Sequence, residues 1–251
     1  MKATTFEFRF RFVIILAIYA LGFWAPWTRL ISGQAPIFGA PTSAWLAVSV
    51  WLTRVHLLPL DKATLLVTAL AVLLVCVGAV LRVWGSAYLG SSIVHSGTMH
   101  GDAVMAGGPY RFVRNPLYIG SVLPALGIAI LMPPWGAVFF LVALPLFYFR
   151  LILGEEAYLA ERLGAPYQDY RQRVPRLIPS LRPRIAGAAA RPSWLEGLLG
   201  EIFVVGAAVC MAALAWRYQP ELLDRCLLVC LGLSLIARAL MPKKQGSETR
   251  G

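Results

Sequence analysis

The chain alternates long apolar runs with short polar breaks, and the run lengths predict a bundle of membrane helices. Apolar stretches cover positions 12–30, 63–84, 116–132, 135–153, 200–216 and 222–241. A helix crosses the hydrocarbon layer with roughly 20 residues, so each is a candidate span. A further run, 42–58, is short and carries Arg54 and His56; it is the one expected not to cross. Only Pro133-Pro134 separates 116–132 from 135–153. That leaves room for a tight reversal alone, so these two runs are expected to be antiparallel neighbours. Positions 115 and 154 then lie on the same side of the membrane.

The breaks carry the polar chemistry. The stretch 107–120 reads Gly107-Gly108-Pro109-Tyr110-Arg111-Phe112-Val113-Arg114-Asn115-Pro116-Leu117-Tyr118-Ile119-Gly120. Asn115-Pro116 predicts a helix start, with Asn as N-cap and Pro at the first helical position. Two arginines and two tyrosines beside the positive end of a helix suit an anionic group. After the second run come Glu155-Glu156, Tyr167, Tyr170 and Arg171, closing in Val174-Pro175-Arg176-Leu177-Ile178-Pro179. Paired carboxylates at the expected end of a helix, where the dipole disfavours anions, call for a bound cation or amine, or a salt bridge to Arg111 or Arg114. Both readings stand on the residues alone.

Composition supports a membrane protein and narrows its orientation. Of 251 residues, 59% are hydrophobic and 14% charged, against ~25% charged in an ordinary soluble domain; the mean hydropathy is +0.69. The net charge of +11 lies mainly between the apolar runs, with seven arginines in 154–192. That excess places 154–192 in the cytoplasm and favours anionic lipid headgroups rather than nucleic acid. Lys2, Arg9 and Arg11 put the N-terminus on the same side, and the first run, followed by Trp24, Pro26, Trp27 and Arg29, reads as an uncleaved anchor. If 1 and 85 share the cytoplasmic face, only two of the first three runs cross. Cys76, Cys210, Cys226 and Cys230 all lie in apolar runs without His or carboxylate at ligand spacing, so no metal site and no disulfide framework is expected.

The ordered blocks Gly-Pro-Tyr-Arg-x-x-Arg-Asn-Pro-x-Tyr-x-Gly, a hairpin, Glu-Glu, and Leu163-Gly164-x-x-Tyr167-x-x-Tyr170-x-x-x-Val174-Pro175 resemble the isoprenylcysteine carboxyl methyltransferase and phospholipid methyltransferase superfamily. The resemblance covers about 79–179. It implies an all-α, polytopic membrane protein with a cytosolic-face pocket for S-adenosylmethionine, set between the hairpin and the polar segment after it. Methyl transfer would go to a lipophilic small-molecule or lipid-modified acceptor, a carboxylate, thiol or amine. By similarity Arg114, Asn115, Pro116 and Tyr118 line the cofactor site, Glu155 and Glu156 complete it, and Tyr110 stands beside them. Arg114 and Glu156 are the pair expected to carry the reaction, Arg114 on the cofactor's carboxylate and Glu156 on its ammonium. Arg111, Tyr167, Tyr170 and Arg171 are the acceptor-side candidates, Arg111 and Arg171 by charge alone. His100 is a candidate loop contact to the cofactor, beside its plainer reading as a surface histidine; His95, His100 and Asp102 as a metal set carry little weight.

The superfamily's commonest form has His where this chain has Asn115, so proton transfer at that position is in doubt. The expected organisation is 1–78 as N-terminal membrane segments, 79–180 as the core, 181–198 as a linker and 199–251 as a C-terminal hairpin with a basic tail. The expected location is a bacterial inner membrane, active site toward the cytoplasm, with membrane lipids as the other partners. Two rivals remain. Membrane sterol reductases share a similar Gly-Pro-Tyr and Arg-x-Pro-x-Tyr region and use NADPH, whose 2′-phosphate Arg171 and Arg173 would meet. A non-catalytic scaffold or transporter would bind no cofactor, and transport would place ionisable groups inside the spans.

Overall fold

The computed structural model describes residues 2–25, 43–89, 107–186 and 191–217, with 229, 230, 232–234 and 236. They form helices α1 (Thr5–Arg9), α2 (Arg11–Phe23), α3 (Ala44–Arg54), α4 (Leu60–Leu89), α5 (Pro116–Ile128), α6 (Pro134–Leu163), α7 (Ala165–Arg173), α8 (Trp194–Gly200) and α9 (Ile202–Arg217). Short 3-10 turns at Gly108–Arg111 and Ala129–Leu131 bracket α5, and no strand occurs among the described residues. Two helices, α4 and α6, are each long and apolar enough to cross a membrane, and a third span results if α8 and α9, bent by 69° at their junction, count as one. The outward faces of these helices are apolar: Leu65, Leu73, Val80, Val138, Leu146 and Val209 are all exposed. Such a belt belongs against lipid, where only hydrogen-bonded helices or closed barrels survive. This is an integral membrane protein.

The N-terminus is fastened at the end of the bundle that holds the polar cluster. Thr4 and Glu7 form a reciprocal cap on α1. Ala3 N–H donates to the Arg150 carbonyl at 3.0 Å, and the Arg150 guanidinium holds both Glu7 oxygens at 2.8 Å. From there α2 runs along α6, with the Tyr19 and Phe140 rings 4.6 Å apart, to the far end, where Gly22 and Gly136 touch backbone to backbone. Helix α3 sits at that far end: Ala44 N–H donates to the Met132 carbonyl at 2.7 Å, and Trp45 Nε1 to Thr68 Oγ1 at 2.9 Å. Helix α4 then returns to the polar end. Helix α3 thus packs at the far end of the bundle, while the N-terminus and the close of α4 lie at the polar end.

Two expectations are corrected here. The first is a matter of extent: α5 and α6 are neighbours as expected, but α5 packs far more extensively on α4. Pro124 seats in a notch at Gly78, and Gly120 lies against the Arg82 stem, so small residues let α4 and α5 approach closely. Between α5 and α6 the hairpin is splayed. Second, α6 does not end near Leu153. It continues through Gly154, Glu155 and Glu156 to Leu163, and Gly164, at φ +60°, stops it. Gly154 is accommodated because the Ala3 backbone packs against it. The glutamates thus lie within a helix, and the argument from a carboxyl-end dipole does not apply to them. Helix α4 also runs unbroken across the boundary drawn at 78. The 222–241 run and His100 lie largely or wholly outside the described residues.

Candidate functional site

The Arg-Asn-Pro corner and the twin glutamates meet at one end of the bundle. Pro116 opens α5 at its first position and is buried. Asn115 occupies the N-cap position, but its side chain makes no cap bond. Its Nδ2 donates instead to Glu156 Oε1 at 3.1 Å and to the Arg176 carbonyl at 3.2 Å. Turning Nδ2 toward this charged acceptor orients the side chain for Glu156 rather than for a cap, in which its Oδ1 would accept from the α5 N–H groups. Arg114 Nε lies 3.5 Å from the same Glu156 Oε1. Arg176, from the segment after α7, holds Glu156 Oε2 through Nε at 3.0 Å and Nη2 at 2.9 Å. Glu156 is 4% exposed and so is a buried anion with donors on both oxygens, the ion-pair alternative that the sequence left open.

Glu155 faces a second set of partners. Tyr118 donates to its Oε2 at 3.0 Å, and the Tyr118 and Tyr148 rings meet edge to face. Arg11, buried near the start of α2, stacks its guanidinium over Phe8 and Phe12 at 4.3 and 4.8 Å and acts electrostatically on both Glu155 and Tyr118. Its position in an N-terminal segment without any motif gave no sign of this role.

The segment 174–186 straps the corner in place. Arg114 N–H donates to the Pro175 carbonyl at 2.9 Å, Ser180 N–H to Phe112 at 3.0 Å and Arg184 N–H to Arg111 at 2.9 Å. Arg111 Nε is bound to the Ile185 carbonyl at 3.1 Å, so this arginine holds the strap. Tyr170 donates to the Tyr110 carbonyl at 2.9 Å, while Tyr167 packs with Tyr170, Val174, Leu159 and Leu163. Burial pushes the hydroxyls of Tyr110 and Tyr170 well above the usual tyrosine range and that of Tyr167 up to about 12. These tyrosines knit α7 to the corner. Arg171 lies on the exposed side of α7, as does Arg173, paired with Asp169.

Three polar atoms of the corner remain without a hydrogen-bond partner: Arg114 Nε and Nη1, and Tyr110 Oη. Such buried groups are rare and costly. Beside the cluster, the splayed α5 and α6 enclose an apolar cleft of about 580 Å³, lined by Tyr118, Ile119, Val122, Val142, Pro145, Phe149 and, from the strap, Leu177 among others. Deeper in the bundle, Arg82 grips Glu201 at 2.6 and 2.8 Å. Ser86 donates to Glu201, and Arg82 donates to Ser121 and to the Leu117 carbonyl. This ion pair ties α4, α5 and the α8–α9 junction together, and the spans are thus not free of charge. It is a closed pair. No group of metal-binding side chains occurs among the described residues.

Residues 66–165 match the family model for phospholipid methyltransferase. A protein-S-isoprenylcysteine O-methyltransferase of Schizosaccharomyces pombe is 33% identical over 108 residues, 41% of this chain and 46% of that protein. A probable protein-S-isoprenylcysteine O-methyltransferase of Oryza sativa subsp. indica is 29% identical over 127 residues, 49% of this chain and 66% of that protein. Phosphatidylethanolamine N-methyltransferase B of Dictyostelium discoideum is 38% identical over 56 residues, 21% of this chain and 28% of that protein. The chain spans less than two thirds of the length of these relatives. No solved structure matches. Residues 66–165, which contain the Arg-Asn-Pro corner, the hairpin and both glutamates, are thus similar to phospholipid methyltransferases and to isoprenylcysteine O-methyltransferases.

Proposed function

We propose that this chain is an S-adenosylmethionine-dependent methyltransferase whose acceptor is lipophilic and enters from the bilayer. One observation carries the reading: the buried Arg114–Asn115–Glu156 corner lies beside an apolar cleft between two membrane helices, to which Tyr118 and Leu177 connect it. A charged donor and a lipid-soluble acceptor need these two surfaces side by side.

The residues present fit the cofactor. Arg114 is buried, its Nε and Nη1 without hydrogen-bond partners beside the Glu156 ion pair, and a carboxylate is the group a guanidinium takes through paired hydrogen bonds. Glu155, which accepts from Tyr118 and faces the charge of Arg11, is the carboxylate we assign to an ammonium. Glu156, with both oxygens engaged, holds Arg114, Asn115 and Arg176 in register; we assign it this positioning role in place of direct ammonium contact. When bound, the cofactor supplies a methyl group on a sulfonium. The protein aligns the reactants and excludes water, which is most of what an in-line transfer asks of it. Asn115 takes no proton at neutral pH.

The acceptor class follows from the cleft: a lipid-modified thiol or carboxylate, or a phospholipid amine. The relatives are named for isoprenylcysteine and phosphatidylethanolamine, both within that range. Lys2, Arg9 and the arginines of 154–192 gather at the site end of the bundle, which supports a cytoplasmic face, here of a bacterial inner membrane. The NADPH reading loses its support because Arg171 and Arg173 are exposed on α7.

Calorimetry on detergent-purified protein tests the reading. Micromolar binding of S-adenosylmethionine or its demethylated product is expected. Binding of NADPH with neither of these overturns it. A screen of lipid extracts with isotopically labelled methyl donor then identifies the acceptor.

A further inference from the structure

The strap 174–186 carries an anomaly that the site does not use. Ile178 is 82% exposed and Leu181 is 101% exposed, on a segment whose backbone is held at three points by Arg111, Phe112 and Arg114. Large aliphatic side chains on a fixed backbone, facing outward with nothing beneath them, mark a contact surface. Between and beside them stand Arg176, Arg182 and Arg184, and 174–186 contains no Asp or Glu. Arg182 and Arg184 are exposed, and neither takes part in an ion pair among the described residues.

The level of the strap says what covers it. Leu177 lines the apolar cleft with Ile119, Phe149 and Ile152, and the Arg176 guanidinium lies 6.0 Å from the centre of the Phe149 ring, which itself faces outward from α6. The strap therefore begins on the lipid-facing surface of a membrane helix, at the end where that surface becomes polar. Helix α8 occupies the same end: Ser193 N–H donates to the Ala87 carbonyl near the close of α4. It bends 69° away from the α9 axis and exposes Trp194 and Leu195. A basic, aliphatic strap and a tilted helix with an outward Trp, both at the rim of a bundle, have the make-up of interfacial elements.

We infer that 177–184 is a bilayer-surface contact, with Ile178 and Leu181 seated among the acyl-chain ends and Arg182 and Arg184 on the phosphates of anionic lipid headgroups. Juxtamembrane arginines gain from a negative leaflet, and each neutralised one lowers the local lipid preference about fivefold. The strap supplies the Arg176 side chain and carbonyl to Glu156 and Asn115, so the surface contact also steadies the corner. The inference stands independently of the methyl-transfer reading.

Spin labels at Ile178→Cys and Leu181→Cys test it, in full-length protein reconstituted into nanodiscs of phosphatidylcholine alone or with about one third phosphatidylglycerol. The expected result is a label more accessible to oxygen than to a water-soluble nickel chelate, and deeper in the anionic discs. Arg182→Gln with Arg184→Gln is expected to abolish the difference between the two compositions while the label stays at the surface. Three results overturn the inference: free access of the nickel chelate in both compositions, shielding from both relaxants, which means that a protein segment covers the strap, or depth that is indifferent to headgroup charge. None of these touches cofactor binding, so failure here is separable from failure of the proposed activity.

Discussion

Asn115 Nδ2 and Glu156 Oε1, 41 positions apart in the chain, meet at 3.1 Å inside the protein. The pair joins the start of α5 to the interior of α6 and leaves the N-cap of α5 unfilled. Asn115→Asp sets a second carboxylate against a buried one. Buried like charges are strongly disfavoured, so a fall in melting temperature of about 5–10 °C is expected, read by thermal unfolding in detergent. Asn115→His keeps a ring N–H donor and is expected to stay within about 3 °C of the parent. Equal stability of the Asp variant means that the contact contributes nothing.

Arg82 and Glu201 form an ion pair deep in the bundle, with Glu201 1% exposed through its side chain. Arg82→Leu removes the guanidinium from a buried carboxylate and is expected to cost about 3–5 kcal/mol. Arg82→Leu combined with Glu201→Leu removes both charges and is expected to recover most of that loss. A double-mutant cycle on unfolding separates the cases. An additive double variant shows that the pair does not couple α4 to the α8–α9 junction.

These two contacts also show what the sequence did and did not reveal. The hairpin was legible because Pro133-Pro134 admits only a tight reversal, and the site followed because that reversal returns the chain to the side it left. The course of α6 through Gly154 was hidden, because a glycine reads locally as a break, whereas here the Ala3 backbone packs on it. Arg176 stood in a motif noted only for its prolines. Arg82 and Glu201 are 119 positions apart, and no local period announces such a partner. The Asn115 side chain left its cap for the same reason: its Nδ2 turns to a distant carboxylate.

The corner makes a prediction about affinity. Arg114→Ala removes the buried guanidinium whose Nε and Nη1 lack hydrogen-bond partners. Loss of a paired contact to a carboxylate is expected to weaken S-adenosylmethionine binding about tenfold or more, ~1.4 kcal/mol. Glu155→Gln is expected to weaken it comparably, and Arg171→Ala to leave it unchanged. Calorimetric affinities of the three variants that do not differ from the parent remove the site assignment.

The cleft separates acceptor from donor. Val142 lines it from α6 and is otherwise exposed toward lipid, so Val142→Trp fills the space without disturbing the core. Turnover of a lipophilic acceptor is expected to fall through a raised KM, with donor affinity unchanged, because the charged corner is not touched. Donor affinity falling in step with turnover means that the cleft and the corner are one pocket.

Tyr167 gives the alkaline limit of the fold around the site. Burial raises its hydroxyl to about 12, from about 10 in an unfolded chain. The folded state therefore keeps a proton that the unfolded chain releases between those values. Its contribution is fully present below about pH 10 and is lost as the pH rises toward 12. Tyr167→Phe removes the titrating group while keeping the packing with Tyr170 and Leu163. The variant is expected to match the parent near neutrality and to lose less melting temperature between about pH 10 and 12. Parallel curves for the two proteins across that window show that Tyr167 ionises without opening the strap.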